Sequence, residues 1–466
     1  MRTTSLFLPL ALALGCDLAA QAWTLLTPPP YPNTTLRRTG GMAYHPVAGG
    51  LVMYGGLHTA INNTTWLFAA GTWTQLAPAT TPPLRWGHKM VYDSRRNRIV
   101  TFGGRSPSTT VTANDTWEFD GTDWAQVFPT ASPNARAFYG MAYDERRGKT
   151  IVYGTQSGST IGTSGGNQTW EYDGTTWAQV ITAFVPPGLE SPALVYDKGR
   201  GVTVMFGGFN GTPPGTDYRT TWEYDGIDWV VKPTVNAPLT GYRTGIVYDD
   251  ARGRVVLYGG YASATVQQKT WEYDGNDWTL VLAGAGPGRI TEGYMGYDPV
   301  ANTTVYFGGS GPTVVGTVNN ETWLFTGVTN AIAGPYGRTC PTSAGTPTLA
   351  ASTLPVLGTN YNLTVTSGLP LTVAVMIHGT DNLAFAPSIY LPLDLTIAGI
   401  PGCWLETRPD VLLTEVGAGP IVHTLAIPNS LGLLGAPLFT QTLVLDGAAP
   451  NGFGGMTNAM HAVLGL

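Results

Sequence analysis

Between residues 40 and 325 apolar and polar positions alternate in runs of about five, broken by turns rich in Gly, Asp and Asn. The stretch 88–127 reads strand by strand. His88-Lys89-Met90-Val91-Tyr92 is a first strand, followed by the turn Asp93-Ser94-Arg95-Arg96-Asn97. Arg98-Ile99-Val100-Thr101-Phe102 is a second, ended by Gly103-Gly104, where glycine permits positive φ and a close backbone approach. Asp115-Thr116-Trp117-Glu118-Phe119 is a third; Asp120-Gly121-Thr122-Asp123 is a hairpin turn, and Trp124-Ala125-Gln126-Val127 is the fourth strand. Alternation places Trp117 and Phe119 on one face and Glu118 on the other.

This four-strand unit returns six times, with a period of about fifty residues. Its first-strand tyrosine recurs at Tyr44, Tyr92, Tyr143, Tyr196, Tyr248 and Tyr297. Gly-Gly follows at Gly55, Gly103, Gly207, Gly259 and Gly308, with Gly154-Thr155 in the third unit. A third-strand Trp recurs at Trp66, Trp117, Trp170, Trp222, Trp271 and Trp323, and a fourth-strand Trp at Trp73, Trp124, Trp177, Trp229 and Trp278. The sixth unit lacks that last Trp, and Ala22-Trp23-Thr24-Leu25-Leu26 reads as the missing strand. The pattern predicts an all-β fold, a six-bladed propeller over residues 23–330 whose N-terminal strand completes the last blade and leaves no open sheet edge. Only Trp86 and Trp404 of the 14 Trp fall outside the repeat.

Residues 331–466 change character: Trp and charge become scarce, and runs such as Tyr361-Asn362-Leu363-Thr364-Val365 alternate with Gly/Pro turns. They predict a second, smaller β-sandwich domain. At the N-terminus Arg2 precedes an apolar run, Leu6 to Gly15, and then Ala20-Gln21-Ala22. This is the layout of a signal peptide cleaved after Ala22, and the run is too short to span a membrane. A lipoprotein site at Cys16 is the rival reading, with Ala13 a poor residue at its −3 position. The expected location is therefore secreted, periplasmic or cell-surface. Cys340 and Cys403 remain after export and are expected to form a disulfide. Charged residues are 12 %, against about 25 % in ordinary soluble domains, and the net charge is −6 without a basic cluster. That balance argues against a nucleic-acid partner; a monomer without a transmembrane segment is expected.

Candidate chemistry is sparse. Glu118, Glu171, Glu223 and Glu272 each follow a third-strand Trp, and their repetition points to structure, because catalytic carboxylates need unlike environments. The Asp-Gly turns at Asp120, Asp225 and Asp274 lack calcium-loop spacing, and no metal or cofactor site is predicted. The loops joining second to third strands vary in length and share one face with the segments that lead into the first strands. Variable loops on a rigid scaffold are where binding usually lives. On that face Arg38, Arg85, Arg136, Arg243 and Arg289 enter near the expected central channel, a set suited to an anionic ligand. The alternative is that each Arg locks its own blade. Trp86, outside the repeat, is the candidate for stacking on a ligand.

The repeated Gly-Gly, Tyr-Asp and spaced Trp resemble the kelch family across residues 23 to 327. The resemblance implies a binding platform more than an enzyme: an exported propeller recognising a carbohydrate or protein ligand. The galactose-oxidase type within that superfamily needs a Cys–Tyr crosslink and two copper-binding His. The segment here has no Cys and only His45, His58 and His88, so that chemistry is not expected. Exported propellers that act as sialic-acid mutarotases are the enzymatic alternative, and a purely structural surface component is a third reading. The C-terminal segment, with Ile400-Pro401-Gly402-Cys403 and Gln441-Thr442-Leu443-Val444-Leu445-Asp446, resembles a module of exported planctomycete-type proteins.

Overall fold

The computed structural model describes residues 21–464 except 28–36, 58–62, 107–111, 156–165, 211–217, 263–264, 285, 289–290, 312–319, 328–331, 337–338, 381–383, 387–388, 392, 396–399, 401–402, 431–432 and 434–435. The apolar leader and Cys16 lie outside the described residues. Residues 21–327 form six four-stranded antiparallel sheets. Their innermost strands are Gly41–His45, Lys89–Asp93, Gly140–Asp144, Ala193–Asp197, Gly245–Asp249 and Tyr294–Asp298. Each of these strands packs against the next, and the sixth packs against the first, so the sheets form a closed cycle. The cycle encloses a channel of about 490 Å³, walled by residues of all six innermost strands.

The sixth sheet is completed from the other end of the chain. Ala22–Leu25 pairs antiparallel with Thr322–Thr326, with Trp23 opposite Phe325. Trp23 then does what the fourth-strand Trp does elsewhere. Trp73, Trp124, Trp177, Trp229, Trp278 and Trp23 donate their indole N–H groups at 2.8–3.0 Å to Thr322, Thr65, Thr116, Thr169, Thr221 and Thr270, each on the third strand of the preceding sheet. Every ring is also packed on an aromatic of its own sheet or the preceding one, as Trp23 is on Phe325 and Tyr258 at 5.1 and 4.9 Å. A buried Trp thus joins two sheets by area and by one satisfied donor.

A second tie repeats at the far end of the sheets. Asp197 and Glu223 both accept from Arg200, at 2.7 and 2.5 Å, and Tyr273 of the next sheet donates to the same Glu223 at 2.7 Å. Arg96 with Asp93, Glu118 and Tyr172 repeats it, as does Arg147 with Asp144, Glu171 and Tyr224. Arg252 joins Asp249 and Glu272, but the sixth sheet has Phe325 where the third, fourth and fifth have Tyr. There Gln21 donates to Glu272 at 3.3 Å instead. The recurring glutamates are therefore joints between sheets. The Asp-Gly turns are hairpins as well: Asp120, Asp225 and Asp274 each accept the backbone N–H groups two and three residues on.

The C-terminal part holds a sheet built on Thr372–Gly379, Val411–Gly417, Pro437–Leu445, Ala459–Val463 and Ile332–Tyr336, with Gly454–Met456 at its side. A three-stranded sheet of Thr348–Ala351, Asn360–Thr366 and Ile421–Ala426 shares its core through Leu363, Val365, Met376, Val444 and Met460. Cys340 and Cys403 are disulfide-bonded in a smaller core with Ile377, Leu391 and Met456. This part meets the ring where Arg146 pairs with Glu406 and the His461 ring lies against Gly199. Among the described residues no helix is long and apolar enough to cross a membrane.

Candidate ligand site at the neck of the channel

Just before each innermost strand the chain makes one left-handed residue: Thr39, Gly87, Phe138, Ser191, Arg243 and Glu292, at φ of 50 to 70°. Five of the six are not glycine, a strained choice repeated around the ring. Backbone hydrogen bonds hold it in place. Ser191 donates to Phe138, Phe138 to Gly87, Gly87 to Thr39, Thr39 to Glu292 and Glu292 to Arg243, at 2.6–3.3 Å. The residues form a collar that narrows the channel. The Gly-Gly motif serves this collar: Gly56, Gly104 and Gly309 donate at 2.9–3.0 Å to Arg85, Arg136 and Arg37, two residues before the collar in the neighbouring sheet. A Cβ on Gly56, at φ +104°, would meet the Tyr294 hydroxyl at 1.8 Å. Thr155 fills the corresponding place in the third sheet and donates to Leu189 at 3.0 Å.

The collar carries charge that does not repeat. The buried Glu292 carboxylate accepts Arg38 at 2.7 Å and pairs with Arg243 at 3.0 Å, and Arg243 reaches Glu190 at 3.3 Å. The two guanidinium side chains are about one-third exposed, 30 % and 34 %. Burial works against the Arg243 charge, and Glu292 and Glu190 more than offset it, so its pKa is raised. Below them Lys89 lines both the channel and a cavity of about 30 Å³ at the collar, shared with Ser191, Thr244 and Glu292. The other innermost strands begin with Gly41, Gly140, Ala193, Gly245 and Tyr294. Burial lowers the Lys89 pKa, and the nearby Glu292 only partly opposes this. Among the described residues no acceptor lies within hydrogen-bond or ion-pair distance of its Nζ.

Aromatic rings flank the collar. Trp86 and Phe138 meet edge to face at 5.2 Å, with the Arg105 guanidinium 5.7 and 5.3 Å from their centres. Phe209 stacks on Tyr242 at 5.0 Å, and Tyr242 lies under the Arg243 guanidinium at 5.3 Å. Trp86 is partly exposed, and its indole nitrogen has no acceptor among the described residues.

The five arginines singled out from the sequence do not share one environment. Arg38 and Arg243 stand at the collar. Arg85 is buried and turned into its own sheet, bidentate to Asp115 at 2.9 and 2.7 Å and bonded to the Gly103 carbonyl at 2.8 Å. Arg136 is fully buried on the carbonyls of Asn134 and Gly154, and burial lowers its pKa to about 10. Both lie two residues before the collar and line neither cavity. Arg37 has that same position and bonds Thr64, while Arg289 lies outside the described residues. Lys89, Glu190 and Glu292 are the additions. The two acids sit in turns equivalent to those that carry the arginines, and Lys89 occupies a place otherwise held mostly by Gly or Ala.

The opposite end of the channel is bounded by Pro46, Glu145, Lys198, Asp250 and Pro299. Lys198 stands 3.2 Å from Asp250 and 3.8 Å from Glu145, whose carboxyl pKa burial raises. Arg146 and Gly199, next in sequence to Glu145 and Lys198, are the residues that meet the C-terminal part. His45 and His88 are buried within the sheets, His45 accepting from the Ala48 N–H and His88 bonding the Tyr54 carbonyl. Among the described residues no group of three or more His, Cys, Asp or Glu is placed to hold a metal ion. No protein-family model matches the chain, and no curated protein matches it.

Proposed function

We propose that this chain is an exported six-bladed β-propeller of the kelch kind, a binding protein whose collar and flanking loops recognise a ligand outside the cell. The observation that carries this reading is where asymmetry lies. The repeated Arg, Asp, Glu, Tyr and Trp side chains bond one another within the ring, in the same way from sheet to sheet. The collar instead presents a partly exposed Trp ring, two aromatic clusters and charges with no sixfold counterpart. Carbohydrate is the ligand class these features favour: aromatic faces stack on sugar rings, and buried polar groups set orientation. Export rests on the N-terminal leader, and cleavage after Ala22 keeps Trp23 in the closing strand while removing the Gln21 contact.

A glycan array probed with the full secreted chain tests this directly. At least one glycan class is expected to bind, and Trp86→Ala is expected to weaken it about tenfold, as loss of a stacking anchor does. Absence of binding to any glycan, with a correctly folded protein, overturns the carbohydrate reading in favour of a structural surface role. Turnover of a bound sugar would favour the enzymatic alternative.

A further inference from the structure

We propose that the Lys89 ammonium is the receptor for a single carboxylate carried on the ligand, which enters through the collar and ends beneath it. The inference rests on the binding role of the collar and specifies the chemistry recognised there.

The first argument is the charge balance. Arg38, Glu292, Arg243 and Glu190 form one continuous set of ion pairs, two cations against two anions. Lys89 adds a third cation, and three minus two leaves one positive charge uncompensated within this set, with Arg105 lying outside it over the Trp86 and Phe138 rings. Lys89 is half-buried, and an ammonium without an ion-pair partner in the wall of a cavity is placed to take a counter-ion from outside. The second argument is the position itself. The fold accepts Gly or Ala there, as at Gly41, Gly140, Ala193 and Gly245, so no packing demand calls for Lys.

The third argument is space. The collar cavity, about 30 Å³, holds roughly two water-sized groups, the size of the two oxygens of a carboxylate. Ser191 and Thr244 share its wall and supply hydroxyls beside the ammonium. A dianion fits this balance less well, since both arginines are already matched by Glu292 and Glu190.

Titration calorimetry of the full chain with glucuronate, glucose and acetate separates the possibilities, alongside the variant Lys89→Met. The expected result is that glucuronate binds, glucose binds more weakly, and Lys89→Met weakens glucuronate about tenfold or more while leaving glucose unchanged. The same variant should keep or raise the melting temperature, because it removes a half-buried charge that has no ion-pair partner among the described residues. Equal affinity for glucuronate and glucose, unaffected by Lys89→Met, overturns the carboxylate receptor and leaves the carbohydrate reading standing. Acetate binding that depends on Lys89, with neither sugar bound, keeps the receptor and overturns the carbohydrate reading. A clear fall in melting temperature for Lys89→Met, or no binding by any of the three probes, overturns the receptor.

Discussion

At the turn end of the sheets Arg96, Arg147, Arg200 and Arg252 each join an Asp and a Glu in the same way, four times over. At the collar Arg38, Arg243 and Lys89 stand at three different positions relative to the left-handed residue, and their partners differ accordingly. The first arrangement can stiffen a ring, because four successive sheets use the same joint. It cannot make a single site, since four like environments give no direction to a ligand. The second arrangement does the reverse: it contributes little to each sheet and makes one side of the channel unlike the other. Both ends use the same residue types, so residue type alone does not separate structure from recognition; registration with the repeat does.

The sharpest way to break this comparison is to open the ring. Trp23→Ala removes a buried ring and its donor to Thr270, and should cost about 4 kcal/mol in a denaturant titration. Deleting residues 23–25 should go further and expose the Thr322–Thr326 edge, giving oligomers by light scattering. A monomer of unchanged stability would show that the N-terminal strand is not a joint.

Arg200→Gln comes next. It strands Asp197 and Glu223 in a mostly buried place, and a loss of about 3 kcal/mol is expected, with ligand affinity of the folded fraction unchanged. A variant that folds normally but loses ligand would move recognition to the turn end.

An effect of similar size, spread over three pH units, comes from pH. His461 is buried against Gly199 with Arg200 and Arg254 nearby; burial first, then those cations, hold its pKa down to about 4, against the pull of Asp197. The unfolded chain takes up this proton near pH 6.5, so stability present above that value falls as pH drops towards 4. The expected loss from this group is about 3 kcal/mol between pH 7 and pH 4. His461→Gln should flatten the slope in that window. An unaltered slope would remove His461 from the docking of the C-terminal part.

Much of the ring was legible because a period of about fifty residues with two Trp per unit is a strong signal, and the stray Trp23 announced its place through the unit that lacked one. The structural role of Glu118, Glu171, Glu223 and Glu272 followed from their repetition, although their Arg and Tyr partners lie 20 to 54 residues away and carry no local mark. The collar was harder. Arg38, Arg85 and Arg243 look alike in sequence, yet a shift of one or two residues about a left-handed turn sends one into its sheet and the others to the mouth. Lys89 was hidden for a different reason: it sits inside a strand whose alternation it does not disturb.

The most direct test of the central claim is to measure melting temperature and glucuronate affinity together on Lys89→Met and Arg200→Gln. The account predicts a crossed result: Lys89→Met loses affinity at undiminished melting temperature, and Arg200→Gln loses stability at undiminished affinity. If both variants lose stability and affinity together, or if Arg200→Gln alone loses affinity, the division between a repeated frame and an asymmetric site is contradicted.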